Sequence, residues 1–202
     1  MSSAKKLYLA SSNPGKLREF SAIESEIHSE ISLALLPGFS ELPVFPEDAP
    51  TFAENAVGKA LHASNISGEA VCADDSGLVV PVLGGAPGVI SARYAGSNAT
   101  GKQNNQKLLE ALRGKTGDER AAYFVCALAV VRQGNVLAVI TNRVDGQILE
   151  AQRGSGGFGY DPAFFFPPLN RSFAELSGAE KNVHSHRGKA FRRLLEVLPG
   201  ML

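Results

Sequence analysis

The sequence predicts an α/β fold, a mixed twisted sheet with a long central hairpin and helices on both sides. Two observations predict it. Short apolar runs of strand character alternate with stretches whose apolar residues recur at helical spacing. In mid-chain, two long runs rich in β-branched residues, 121–131 and 136–149, flank Arg132-Gln133-Gly134-Asn135, a hairpin signal. No fixed-period repeat or low-complexity stretch competes with this reading.

Lys6 to Ala10 (KLYLA) reads as the first strand. It ends in the turn-prone Ser11-Ser12-Asn13-Pro14-Gly15, after which Leu17, Phe20, Ile23 and Ile27 mark a helix face. Ile31 to Leu36 is a second strand, followed by a Pro-rich acidic loop from Leu42 to Pro50 and a helix with Phe52, Ala56, Ala60 and Leu61 on one face. Ala70 to Ala73 reads as a short buried strand whose end carries Asp74-Asp75-Ser76-Gly77, with strand resuming over Leu78 to Leu83 before a Gly-rich loop. Thr100 to Leu112 has helical periodicity and the hairpin follows. Ser172-x-x-Glu175 and Ser177-x-x-Glu180 are capping boxes that predict short helical turns. Ser185 is the natural N-cap of a last helix carrying Ala190, Leu194, Leu195 and Leu198.

With 202 residues and 44% apolar content, the chain is expected to form a single domain, 1–202, possessing its own core. Twenty basic and twenty acidic side chains cancel, which argues against a nucleic-acid polymer as partner. Cys72 and Cys126 lie in apolar runs and read as buried thiols, without the ligand spacing of a zinc site. The start, MSSAKKLYLASS, lacks a signal-peptide core and no run is long enough to span a bilayer. The expectation is a soluble, cytoplasmic protein with no membrane partner.

Four constellations can carry chemistry. Ser11-Ser12-Asn13-Pro14-Gly15-Lys16 joins a strand to a helix N-terminus, where backbone N–H groups and Lys16 suit phosphates; it is equally good turn chemistry and lacks Walker spacing. Asp74 and Asp75 are adjacent carboxylates that repel unless a cation or proton intervenes. Their hard oxygens point to Mg²⁺, with Glu47, Asp48 or Glu54 available to complete the set; an Asx turn is the plainer reading. Gly154-Ser155-Gly156-Gly157-Phe158-Gly159-Tyr160-Asp161-Pro162 lets backbone approach a flat ligand while Phe158 or Tyr160 offers a stacking ring, unless both rings are core. Lys181-Asn182-Val183-His184-Ser185-His186-Arg187-Gly188-Lys189 gathers donors at a helix start, where cations oppose the dipole unless an electron-rich partner binds.

In this order the motifs SSNPGKLREF, TFAENAVGKA, ADDSGL, GAPGVISARYAG, GGFGYDP and EKNVHSHRGKA resemble those of the inosine/xanthosine triphosphate pyrophosphatase family, across nearly the whole chain. Two positions depart from the family pattern: Ala49 replaces a usual Gly, and His184 a usual aliphatic residue. The resemblance implies a Maf/ITPase-like fold of two lobes with the active site in the cleft, a homodimer, and Mg²⁺-dependent hydrolysis of a purine nucleoside triphosphate (ITP, dITP or XTP) to monophosphate and pyrophosphate. It implies that Ser11, Ser12, Asn13, Pro14, Gly15 and Lys16 hold the triphosphate, with Lys59 pointing toward it and Ser76 touching substrate. Asp75 becomes metal ligand and general base, supported at the metal by Asp74 and Glu47. Phe158, Gly159, Tyr160 and Asp161 line the base pocket with Phe158 stacking, while Lys181, His186 and Arg187 bond the base edge.

Lys181 and Arg187 are obligate donors, which suits a 6-oxo acceptor and disfavours the 6-amino group of adenine. Two rivals stand beside this reading. The Maf-like nucleotide pyrophosphatases normally carry an SPRR-type sequence where this chain has Asn13-Pro14-Gly15-Lys16, and a non-catalytic nucleotide sensor would not need Asp74, Asp75 and Lys16.

Overall fold

The structure, a computed structural model, describes residues 5–27 and 30–202; Met1 to Ala4, the start of MSSAKKLYLASS, lie outside the described residues. Strand β1 (Lys5–Leu9), helix α1 (Pro14–Ile27) and strand β2 (Ile31–Leu35) form a parallel crossover unit, with Lys5 opposite Ile31 and Leu9 opposite Leu35. Helix α2 (Phe52–Ser67) then leads to β3 (Val71–Val79), which pairs parallel with β1 on its other edge. Helix α3 (Gly101–Ala111) precedes β4 (Ala121–Arg132) and β5 (Asn135–Ile148). Short antiparallel strands β6 (Phe164–Phe166) and β7 (Arg171–Ser172), then helices α4 (Gly178–His184) and α5 (His186–Val197), complete the chain. Among the described residues the sheet has seven strands in the order β2-β1-β3-β4-β5-β6-β7, so the expected mixed α/β class holds.

The central hairpin turns where expected. Gln133 and Gly134 both have positive φ, 51° and 76°, the pair of left-handed residues that a type I′ turn requires.

The chain divides into two units. The first comprises Met1–Asp75, Cys126–Asn142 and His186–Leu202; the second comprises Ser76–Val125 and Arg143–Ser185. In the first, period-two alternation sorts strand residues onto two apolar faces. Leu7, Leu9, Cys72, Cys126, Leu128 and Val130 pack with Phe20 and Ile23 of α1 and Phe191 and Leu194 of α5. Their neighbours Ala10, Val71, Ala73, Ala127 and Ala129 pack with Ala56, Ala60 and Ala63 of α2. Helices therefore cover both sides here, as expected. Alanine predominates among the buried residues of this second face, and Asn55 of α2 reaches Asp75 of β3. In the second unit, Leu78, Leu108, Phe124, Phe164 and Phe173 form a separate, aromatic-rich core.

Three expectations need correction. The carboxylate pair does not end a strand: Asp74 and Asp75 sit inside the nine-residue β3. Their charges meet cations and an amide from neighbouring elements, so the strand need not stop to solvate them. Strand does not run on to Leu83 either; Pro81 has no N–H to donate, and Pro81–Leu83 forms a 3-10 turn. The donor cluster does not occupy one helix start. Lys181 and His184 fall in the last turn of α4, where the helix dipole favours cations, and His186 and Arg187 open α5.

Candidate active site

In the first unit the site grows from the turn after β1. Asn13 Oδ1 accepts from the backbone N–H of Gly15 (2.9 Å) and of Lys16 (3.4 Å), with Pro14 at the first helical position: this is a regular α1 N-cap. Ser11 Oγ accepts from Asn13 N at 3.2 Å, while Ser12 is exposed. The turn reading thus accounts for two of the helix's N-terminal donors, and the side chain of Lys16 is the charged group that this turn offers to phosphates. Its ammonium lies 2.7 Å from Asp74 Oδ2. One turn on along α1, Glu19 meets Arg187 at 3.4 Å, and Arg187 Nε lies 3.9 Å from Asp74.

Helix α2 supplies the other half of this network. Asn55 donates from Nδ2 to Asp75 Oδ2 at 2.9 Å, and its Oδ1 accepts from Ala49 N at 2.9 Å. One amide thereby ties the acidic loop to β3. One turn later Lys59 pairs with Glu47. The loop is also pinned by Phe45, whose ring packs so closely over Gly58 that no Cβ would fit there. Ala49 is not among the residues with positive φ, so alanine in place of the usual glycine carries no backbone strain. Of the three acidic candidates in this region, Glu47 is the one turned inward; Asp48 is exposed, and Glu54 is spent on the α2 cap, bonded to Thr51 Oγ1 at 2.7 Å.

The adjacent carboxylates are driven apart electrostatically. Burial acts to raise Asp74, but Lys16, Lys59 and Arg187 outweigh it and hold the carboxyl at about 2. Burial pushes Asp75 above the ordinary carboxylate value, and the charge of Glu47 adds to that push against the Asn55 hydrogen bond and the two lysines. Burial acts to lower Lys59, yet Asp74 and Glu47 leave it raised. The two neighbouring carboxyls are thus pushed in opposite directions, Asp74 down and Asp75 up.

Asp75 and Glu47, mutually unfavourable as anions, are the hard-oxygen pair that a divalent cation would relieve. Among the described residues no group of three or more His, Cys, Asp or Glu side chains forms a metal cage. Such a set does not suit a closed structural site, but it fits Mg²⁺, which takes one or two carboxylates and fills its remaining positions with water and substrate phosphates.

In the second unit the Gly-rich segment closes on itself. Asp161 Oδ2 accepts from Phe158 N at 2.8 Å and from Lys181 Nζ at 2.6 Å, and the Lys181 ammonium lies 4.5 Å from the centroid of the Phe158 ring. Both ions are buried, Lys181 at 5% exposure and Asp161 at 3%. Tyr160 differs from Phe158: its ring belongs to the core and its hydroxyl donates to Ser91 O at 2.8 Å. Of the two rings offered for stacking, Phe158 is the half-buried one. His184 packs 5.4 Å from the Phe166 ring, a contact that accommodates an imidazole in place of an aliphatic side chain.

The sequence pattern of the Ham1 family matches residues 7–197. The chain belongs to that family. A dITP/XTP pyrophosphatase of Geobacillus kaustophilus (strain HTA426) is 48% identical over 192 residues, covering 95% of this chain and 93% of the relative. Another, from Desulforamulus reducens, is 43% identical over 194 residues, covering 96% and 95%. A Ham1 protein from Coxiella burnetii shares the fold with a TM-score of 0.87 at 41% identity, over 97% of this chain and 99% of that one.

In this Ham1 chain the structure brings Lys16, Glu47, Lys59, Asp74, Asp75 and Arg187 into one first-unit network. It gathers Phe158, Gly159, Asp161 and Lys181 in the second unit. Ser76 follows Asp75 on β3, and His186 is buried at the start of α5. Sequence reasoning missed Asn55 and Glu19. A signal existed for Asn55: asparagine is a poor helix-interior residue, and this one adjoins the apolar Phe52-Ala56-Ala60 face. Glu19 stands one turn beyond Lys16, but nothing local pairs it with an arginine 168 positions away.

Proposed function

We propose that this Ham1-family chain hydrolyses the deaminated purine nucleotides ITP, dITP and XTP to the nucleoside monophosphate and pyrophosphate, with Mg²⁺ as cofactor. The observation that carries the reading is Lys181, held by Asp161 over the Phe158 ring. An ammonium is a donor with no acceptor lone pair, so a purine lying against Phe158 meets a group that a 6-oxo oxygen satisfies and a 6-amino group does not. Leaving buried polar groups mismatched discriminates by roughly four orders of magnitude, enough to reject ATP. The family resemblance assigns His186 and Arg187 to the base edge as well, although within the first unit Arg187 meets Glu19 and Asp74.

The phosphates fall to the first-unit network. Lys16, oriented by Asp74, neutralises phosphate charge at the α1 N-terminus, and Lys59 adds a second cation. Asp75 and Glu47 would hold Mg²⁺, with Asp74 in support. Bound there, the ion supplies Lewis-acid stabilisation of charge on the phosphate oxygens. Asp75 accepts the proton of a water that attacks the α-phosphorus as pyrophosphate leaves, and Asn55 keeps its carboxylate turned for that transfer. The names of the relatives support this substrate class. The reading carries with it the homodimer that the family resemblance implies, which size-exclusion chromatography tests, and the cytoplasmic location expected from the sequence.

A phosphate assay with and without added inorganic pyrophosphatase, run on ITP, XTP, GTP, ATP and dUTP, tests the function. Phosphate should appear only with pyrophosphatase and fastest from ITP and XTP. Release without pyrophosphatase would mean a different bond is cut, and no release would favour a nucleotide sensor.

A further inference from the structure

We propose that Asn105 is a positioning residue that fixes the Phe158–Asp161 turn and, through it, sets the affinity for the purine base. The inference rests on the base-pocket reading above. Gly157 and Gly159 flank Phe158 with φ of 70° and 61°, so the backbone carrying the stacking ring is the least restrained kind of chain and needs external anchors. Three are present. Lys181 binds the Asp161 carboxylate, and the Tyr160 hydroxyl reaches Ser91 O. The third is Asn105, on α3, whose Nδ2 donates to Gly159 O at 2.7 Å.

The first anchor belongs to the base-reading set itself, and the second fixes a ring that core packing already settles. Asn105 alone of the three grips the backbone directly after Phe158, from a helix with no residue in the assigned site. Its geometry is that of a dedicated donor. The same Nδ2 also donates to Gly101 O at 2.8 Å, locking the amide to its own helix. The side chain is only 2% exposed, and its Oδ1 is buried with no hydrogen-bond partner among the described residues. A buried amide with an idle acceptor is costly, and asparagine is a poor helix-interior residue, so neither solvation nor propensity accounts for it. What the position keeps is the pair of hydrogen bonds to Gly159 and Gly101. An added Cβ on Gly101 would sit 3.7 Å from Gly159 O, an ordinary contact, so the start of α3 lies directly against the turn it braces.

The test compares two ligands on the full-length enzyme: ITP as substrate and inorganic tripolyphosphate, which has phosphates but no base, as inhibitor. Asn105→Asp retains the shape and sets an acceptor oxygen, in place of Nδ2, against the Gly101 and Gly159 carbonyls. It should raise the KM for ITP about tenfold while leaving kcat within about twofold and the tripolyphosphate inhibition constant unchanged. Asn105→Ala, read by the same constants, serves if the aspartate variant does not fold. An unchanged KM for ITP, or an equal weakening of ITP and tripolyphosphate, would overturn the proposal. Phe158→Ala separates the two levels of argument. A raised KM there with no effect at Asn105 removes only the positioning role, whereas an unchanged KM removes the base-pocket reading and the route through Phe158 with it.

Discussion

Asn55 Nδ2 stands 2.9 Å from Asp75 Oδ2, and the other face of the same amide holds the Ala49 backbone. A helix residue thus orients the proposed base and tethers the loop that carries Glu47. Asn55→Asp would set a carboxylate against a carboxyl that burial already raises. The acid limb of kcat/KM should therefore move upward by about one pH unit or more, measured at saturating Mg²⁺. A pH profile that superimposes on wild type would show that Asn55 has no hold on Asp75.

Asp74 makes a prediction of opposite sign. Its folded-state value is about 2 against an ordinary 3.8, because Lys16, Lys59 and Arg187 overcome burial. Below 3.8 the unfolded chain takes up the proton first, so stability that is present above that pH is lost as pH falls toward 2. Thermal melts through this window should show Asp74→Asn less stable than wild type near neutrality, with a shallower acid slope. Parallel curves for the two proteins would contradict the ion-pair account.

Gly157 lies where a Cβ would land on the Asp161 carboxylate, and its φ of 70° disfavours any side chain. Gly157→Ala should cost about 1–3 kcal/mol of stability and weaken ITP more than tripolyphosphate, since Asp161 carries both Phe158 and Lys181. Calorimetry with the two binding constants checks both parts.

Lys181→Met removes the donor and leaves the Asp161 carboxylate buried without its cation. Destabilisation of about 3–5 kcal/mol is expected, so the informative readout is a ratio rather than a rate. The ITP/ATP ratio of kcat/KM should fall about a hundredfold. An unchanged ratio would mean that the base is read elsewhere.

Much of this molecule was legible in its sequence where chemistry is local. Gly134 announces a hairpin because a short turn with glycine between two β-branched runs is local hairpin chemistry, and the Ser177/Glu180 box marks α4 because both bonds form within one turn. The first-unit alternation is plain because Leu7, Leu9 and their neighbours face opposite cores. Legibility failed where distant residues decide the outcome. Asp74 and Asp75 read as a strand end because unpaired carboxylates belong at one; Lys16, 58 positions earlier, makes them tolerable inside β3. Lys181 and His186 read as one cluster, yet the break at Ser185 places them on different helices. Asn105 was silent because an isolated asparagine has no motif; Asn55 stood out only as a polar residue beside an apolar helix face, and for both the fold alone supplies the partner.

The most direct test of the central claim is pyrophosphate release from ITP by Asp75→Asn, read beside its thermal melt. The amide keeps the shape of the carboxylate but neither its charge nor its capacity to take a proton. The melt should match wild type to within a few degrees while turnover falls by at least about a thousandfold. A folded variant that still releases pyrophosphate at the wild-type rate would remove Asp75 from the chemistry.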